Sequence, residues 1–230
     1  MKLLEVCDLR KNYYIENSRT MKREKIEVIK NISFQIAESE SVSIMGKSGC
    51  GKTTLLNMLG GLINPSSGSI FYKGENLSDL SKEHLEEYRR LQVGFVFQDY
   101  RLLECMTIKE NMILPCMLDH QNVNKAIRKV EIMAEMLKIG DRLDYYPSEL
   151  SGGEKQRAAI GRALINMPSL ILADEPTGNL DSVSSKNVME ILVKLQRELN
   201  VTMILVTHDK EIANYCNCTI KIEDGKICER

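Results

Sequence analysis

Residues 46–53 read Gly46-Lys47-Ser48-Gly49-Cys50-Gly51-Lys52-Thr53, a glycine-rich loop of the form GxxxxGK[ST], with Thr54 following. Each residue type has a use against a phosphate chain. Glycines let the backbone fold closely around an anion, and successive N–H groups together with a helix N-terminus point at it. Lys52 can neutralise β and γ oxygens, and the Thr53 hydroxyl can ligate Mg²⁺. The run Gly46 to Thr54 is therefore a candidate ATP contact. Cys50 admits two readings, a thiol made reactive by the helix N-terminus or a small residue filling a tight loop.

A second set of groups lies 122 positions after Lys52, where the apolar run Leu170-Ile171-Leu172-Ala173 leads into Asp174-Glu175. A carboxylate at the end of a buried strand can hold Mg²⁺, and the next one can act as general base or orient an attacking water. An Asp-Glu pair alone would be a solvated turn; the phosphate loop is what gives it a partner. His208 follows another apolar run, Met203-Ile204-Leu205-Val206-Thr207, and could touch a γ-phosphate. By itself it would be a structural or solvated histidine.

Chemistry of this kind requires strands that end together. Short β-rich runs alternate with helical patterns, the mark of an α/β fold with a mainly parallel sheet, whose ligands bind at the strands' carboxyl ends. Strands are predicted at 3–9, 32–36, 41–45, 69–72, 93–97, 170–173, 202–206 and 219–222, with Asp224-Gly225 as a hairpin turn. Helices are predicted at 53–62, 81–91, 124–138, 154–166 and 182–199, the last with an apolar stripe Val188, Ile191, Leu192, Leu195 and Leu199 that reads as core. Between Val96 and Leu170 strands give way to helical patterns, so a helical subdomain, about 99–167, is expected inside a single domain spanning 1–230.

The composition fits a globular chain: of 230 residues 43% are hydrophobic and 27% charged, and the net charge of -1 offers no basic excess for nucleic acid, which is not expected as a partner. No stretch approaches the roughly 20 apolar residues of a membrane span, and no secretory leader is evident, so a cytoplasmic location is expected. The seven cysteines lack metal-site spacing, even at Cys216 and Cys218, and read as free thiols. The basic stretch 19–25 reads as a solvated loop between two strands.

The segment Leu150-Ser151-Gly152-Gly153-Glu154-Lys155-Gln156-Arg157 resembles the LSGGQ signature of ABC ATPases. A serine and two glycines opening a helix make a second anion cradle, which one nucleotide in one chain does not need. The resemblance implies a P-loop NTPase core of RecA-like type, with an antiparallel β subdomain and the helical insertion. It also implies a homodimer in which each ATP lies between one copy's phosphate loop and the other's Ser151, Gly152, Gly153 and Glu154. It further assigns Tyr13 to stacking on adenine, Gln98 to the Q-loop and to Mg²⁺ alongside Thr53 and Asp174, Asp181 to the D-loop, and Glu175 and His208, with Lys52 and Gln98, to catalysis. Tyr14 stands beside Tyr13, and spacing after Leu9-Arg10-Lys11 favours Tyr13. The sequence departs from the family pattern at Glu154, where many relatives have Gln, and at Lys47 and Cys50, where Pro and Ser are common.

Three further stretches, 95–103, 107–111 and 173–181, resemble the bacterial group of lipoprotein-release, macrolide-efflux and bacitracin-type antimicrobial-peptide transporters, with cell-division ATPases close by. That resemblance implies an integral membrane permease as partner, holding the chain peripherally on the inner face of the membrane and receiving ATP-driven motion from it. Soluble ABC ATPases of DNA repair or the ribosome are disfavoured, because only 52 positions separate Gln98 from Leu150 and each motif occurs once.

Overall fold

The computed structural model describes residues 1–16 and 23–229. Its centre is a six-stranded sheet in the order β10-β9-β3-β8-β7-β6, formed by Lys226–Glu229, Cys218–Glu223, Ser41–Met45, Thr202–Thr207, Leu170–Asp174 and Val93–Phe97. All neighbours run parallel except β10, which returns antiparallel beside β9. The return is made at Asp224 and Gly225, both with positive φ (46° and 75°), the backbone that a tight hairpin needs and that this residue pair tolerates. A second, antiparallel sheet has the order β2-β1-β4-β5, from Arg23–Ala37, Lys2–Glu16, Ser67–Tyr72 and Glu75–Asn76.

The central parallel strands β3, β7 and β8 are buried on both faces, whereas β9 toward one edge alternates buried and exposed residues. Alternate residues serve different cores. Leu170, Leu172, Ile204 and Val206 pack with the antiparallel sheet and with α1 (Lys52–Leu59), through Leu55, Leu56 and Leu59. Ile171, Ala173, Met203 and Leu205 face the opposite core. That second core is completed by α3 (Ile108–Leu118), α4 (Val123–Met136), α5 (Gly152–Leu164) and α6 (Ser182–Glu198). Every helix and 3₁₀ turn assigned between β6 and β7 belongs to the chain's return from one strand to its neighbour, with no strand assigned among the described residues there.

Several elements differ from the sequence expectation. The first two strands are much longer than 3–9 and 32–36, pairing from Lys2↔Ala37 out to Glu16↔Arg23. The outer part reads as polar because a two-stranded ribbon has no core to fill, and pairing rather than burial holds it. Of the basic stretch 19–25, residues 19–22 lie outside the described residues, while Arg23, Glu24 and Lys25 belong to β2 rather than to a loop. The helix expected over 81–91 is α2 (Lys82–Glu87) followed by a π-turn over Tyr88–Gln92. The wider turn goes with a buried Tyr88 whose hydroxyl donates to Leu59 O at 2.8 Å. The helix expected over 53–62 stops at Leu59, where Gly60 and then Gly61, at φ 66°, turn the chain.

Helix α3 was hidden by Pro115 in its last turn, yet its start was legible. Thr107 Oγ1 accepts from Glu110 N at 3.2 Å and Glu110 Oε2 accepts from Thr107 N at 2.8 Å, a reciprocal capping box. All seven cysteines are free. No helix among the described residues is long and apolar enough to cross a membrane.

Candidate functional site

Strand register alone assembles most of the site. Met45 pairs with Thr207, Val206 with Asp174, and Asp174 with Phe97, across four adjacent parallel strands. The residues following these positions are Gly46, His208, Glu175 and Gln98. Four groups from distant parts of the sequence thus emerge side by side at the carboxyl edge, where such sheets present ligand sites.

The loop from Gly46 to Gly51 leaves β3 and enters α1, with Lys47, Ser48 and Gly49 exposed. Two of its glycines are obligatory for space. A side chain at Gly46 would meet Ile222 O at 2.3 Å, and one at Gly51, where φ is 103°, would meet Ile29 Cδ1 and Val28 O within 3 Å. Cys50 Sγ fills the room beside Gly46, which fits the packing alternative for this thiol. The Lys52 ammonium is curled into the loop, donating to Gly46 O at 2.8 Å and Lys47 O at 3.0 Å. The Thr53 hydroxyl donates to Asp174 Oδ1 at 3.2 Å, and Thr54 is half-buried behind it.

Burial pushes the Asp174 carboxyl above the usual range; the Thr53 hydrogen bond opposes this, the neighbouring Glu175 adds to it, and Lys52 opposes it again. A dication beside Asp174 would favour the ionised form. The donors Thr53 Oγ1 and Asp174 Oδ1, with the Gln98 amide at the next strand end, are hard oxygen ligands of the kind Mg²⁺ takes in company with phosphates. The residues fit that ion. Among the described residues no cluster of three or more His, Cys, Asp or Glu suits a metal held by protein alone.

Glu175 sits in the left-handed region at φ 44°, its N–H donating to Val206 O at 2.9 Å and its carbonyl accepting from Gly178 N at 3.0 Å. That kink turns the side chain out of the strand direction toward His208, whose Nδ1 lies 3.0 Å from Glu175 Oε1. The Gln98 amide nitrogen donates to Asn179 Oδ1 at 3.1 Å, and Asn179 Nδ2 donates to Gln98 O at 3.0 Å. Asp181 caps α6, accepting from Val183 N and Ser184 N; the Ser184 side chain first, then these backbone N–H groups, hold its carboxyl below the ordinary range.

Tyr13 lies on β1 opposite Ile26, near the point where Val28 of β2 crosses Gly51, and Lys11 Nζ stands 5.3 Å from its ring centroid. Tyr13 is 40% exposed and Tyr14 58%.

The segment Ser151–Glu154 is brought elsewhere. It opens α5, with Ser151 exposed and its glycines against Tyr100, Leu180 and Ser184. Ser151 and Glu154 close a capping box. Ser151 Oγ donates to Glu154 Oε2 at 2.5 Å, and Arg142 Nε donates to Glu154 Oε1 at 2.8 Å. These contacts pull the Glu154 carboxyl down to about 2. Arg162, further along α5, donates to the carbonyls of Tyr100 and Arg101, residues that follow Gln98 closely.

Arg142 and Arg162 carry no sequence signal of their own. Their partners are remote in sequence, and only the Ser-x-x-Glu spacing at 151–154 advertised the carboxylate that Arg142 meets.

The fold and edge site define a nucleotide-binding cassette, and comparison with known proteins agrees. The family described as ABC transporter matches residues 29–178. The chain is 46% identical over 225 residues to the ABC transporter ATP-binding protein YxdL of Bacillus subtilis, covering 98% of this chain and 85% of that one. It is 42% identical over 227 residues to the bacitracin export ATP-binding protein BceA of Halalkalibacterium halodurans, covering 99% and 87%. Among solved structures, the dimeric post-hydrolysis state of the ATP-binding cassette MJ0796 bound to ADP and Pi superposes with a TM-score of 0.88 at 35% identity, covering 99% of this chain and 97% of that one. The chain belongs to the ABC transporter ATP-binding family and is an ATPase of that family.

Proposed function

We propose that two copies of the chain close head to tail around two Mg-ATP and that the cycle of closure and reopening drives a membrane permease. The observation that carries the catalytic half is the row of strand ends presenting Gly46, His208, Glu175 and Gln98 together. Lys52 and the amides of 46–54 hold the phosphates, and Tyr13 stacks on the base. Thr53, Asp174 and Gln98 would hold Mg²⁺, which neutralises phosphate oxygens as a Lewis acid. Glu175 accepts the proton of the attacking water, and His208, hydrogen-bonded to it, fixes the carboxylate. The second copy's Ser151, Gly152 and Gly153 complete the charge stabilisation, with Asp181 at the junction. In support of the dimer, MJ0796 forms one, and Ser151 lies exposed where α5 opens.

A groove of about 440 Å³ runs between β6 and the helices, lined by Phe95, Phe97, Leu114, Leu118 and Arg89. It suits a cytoplasmic segment of the permease, and Arg162 links its floor to the loop after Gln98. The relative named for bacitracin export supports an antimicrobial-peptide resistance or export system, or one of the lipoprotein-release type, that transmits motion through the membrane, with this chain peripheral on the inner face.

The test is purification of the tagged chain from membranes of the producing cells. We expect an integral membrane subunit to accompany it; recovery with soluble partners alone would overturn the permease reading.

A further inference from the structure

We infer that Arg142 is a positioning residue for the signature turn: it pins the Glu154 carboxylate that fixes the Ser151 hydroxyl, and, shared with Asp141, it offsets part of that carboxylate's charge where a second copy's ATP phosphates would arrive. The inference rests on the composite-site reading above. It starts from a conflict of charge. A helix N-terminus opened by serine and glycines attracts anions, yet here its first turn carries Glu154. Held low in pKa, this carboxylate is ionised throughout the physiological range. An uncompensated carboxylate would repel a triphosphate.

The geometry shows how the charge is managed. One carboxylate oxygen, Oε2, accepts from Ser151 N at 2.9 Å and Ser151 Oγ at 2.5 Å, and Glu154 N donates back to Ser151 Oγ at 3.4 Å. The other, Oε1, accepts from Arg142 Nε at 2.8 Å. Arg142 comes from the 3₁₀ turn Gly140–Arg142 between α4 and α5. It is held in turn by Asp141 at 3.0 Å, and its guanidinium lies 5.3 Å from the Tyr145 ring centroid.

Ser151 has one hydroxyl proton, and it is donated to Glu154. To donate to a phosphate the hydroxyl must turn away. The carboxylate can release it without being stranded, because Ser151 N and Arg142 still satisfy its two oxygens. A glutamine in place of Glu154 would bring no charge and need no such partner. The effect of Arg142 should therefore depend on whether position 154 carries a charge, which a double-mutant cycle isolates.

The experiment follows ATP-dependent dimerisation of the full chain by light scattering, with steady-state ATPase in parallel, for wild type, Arg142→Met, Glu154→Gln and the double variant. With Glu154 in place, Arg142→Met should raise the ATP concentration for half-maximal dimer about tenfold, between the effect of losing an exposed ion pair and that of stranding one partner of a fully buried one. Raising salt should shrink this defect. In the Glu154→Gln background the same substitution should shift it less than about twofold. Arg142→Lys, which keeps the charge without the planar fork, should fall between.

Equal shifts in both backgrounds, no shift in either, or a Lys variant as defective as Met would overturn the inference alone. Absence of any ATP-dependent dimer in wild type and in Glu175→Gln would instead remove the composite site, and the inference with it.

Discussion

Glu175 stands on a left-handed backbone that costs a non-glycine residue about 1–3 kcal/mol, held by hydrogen bonds to Val206 and Gly178. The neighbouring strands over-determine that kink, so the side chain can be altered without moving the main chain. Glu175→Gln should retain ATP binding, lose about 10²–10⁴ in turnover and accumulate an ATP-bound dimer. Turnover measured by phosphate release beside nucleotide binding checks this; a variant hydrolysing at the wild-type rate would remove the proton-accepting role. Residues of this sort were legible because type and spacing carry their chemistry: Lys52 and Thr53 by the glycine pattern, Asp174 and Glu175 by the apolar run before them. Arg142 was not, since an arginine in a polar turn has no pattern of its own until a carboxylate is seen to meet it.

Elements were legible to the degree that burial, rather than pairing, shapes them. Strands β3, β7 and β8, and the edge strand β6 beside them, match their predicted runs to within a residue, because burial in the two cores fixes their apolar positions. The β1–β2 ribbon was underread by more than half, since its outer reach is held by cross-strand hydrogen bonds that leave no hydrophobic period. At α5 the cap makes a prediction for the whole helix. The Glu154 carboxyl is lowered from 4.5 to about 2 by Ser151 and Arg142. A group whose folded pKa is depressed contributes stability that is complete above its unfolded value and is lost as pH falls through the folded one. Wild type should therefore exceed Glu154→Gln in stability by a constant margin at neutral pH, and the margin should shrink as pH falls from about 4.5 toward 2. Denaturant titrations of both chains across pH 7 to about 3 measure it; a margin unchanged with pH would show that the capping charge contributes nothing.

Among the described residues two hydrophobic cores share one central sheet, and residues one apart on β7 and β8 belong to different cores. Melting either core would strip one face from strands that the other core needs. The chain should accordingly unfold in one transition by calorimetry and circular dichroism alike, and two resolved transitions would contradict the shared sheet as the coupling element.

From that sharing follows a property of ligand linkage. Nucleotide would touch only the carboxyl edge, yet the free energy of its binding would be distributed to helices far from it. At a hundredfold excess over Kd, ATP raises the unfolding free energy by about 2.7 kcal/mol. Because β7 and β8 belong to both cores, hydrogen exchange limited by global unfolding should slow together in α4 and in β4, elements that share no contact with the phosphates and lie on opposite sides of the sheet.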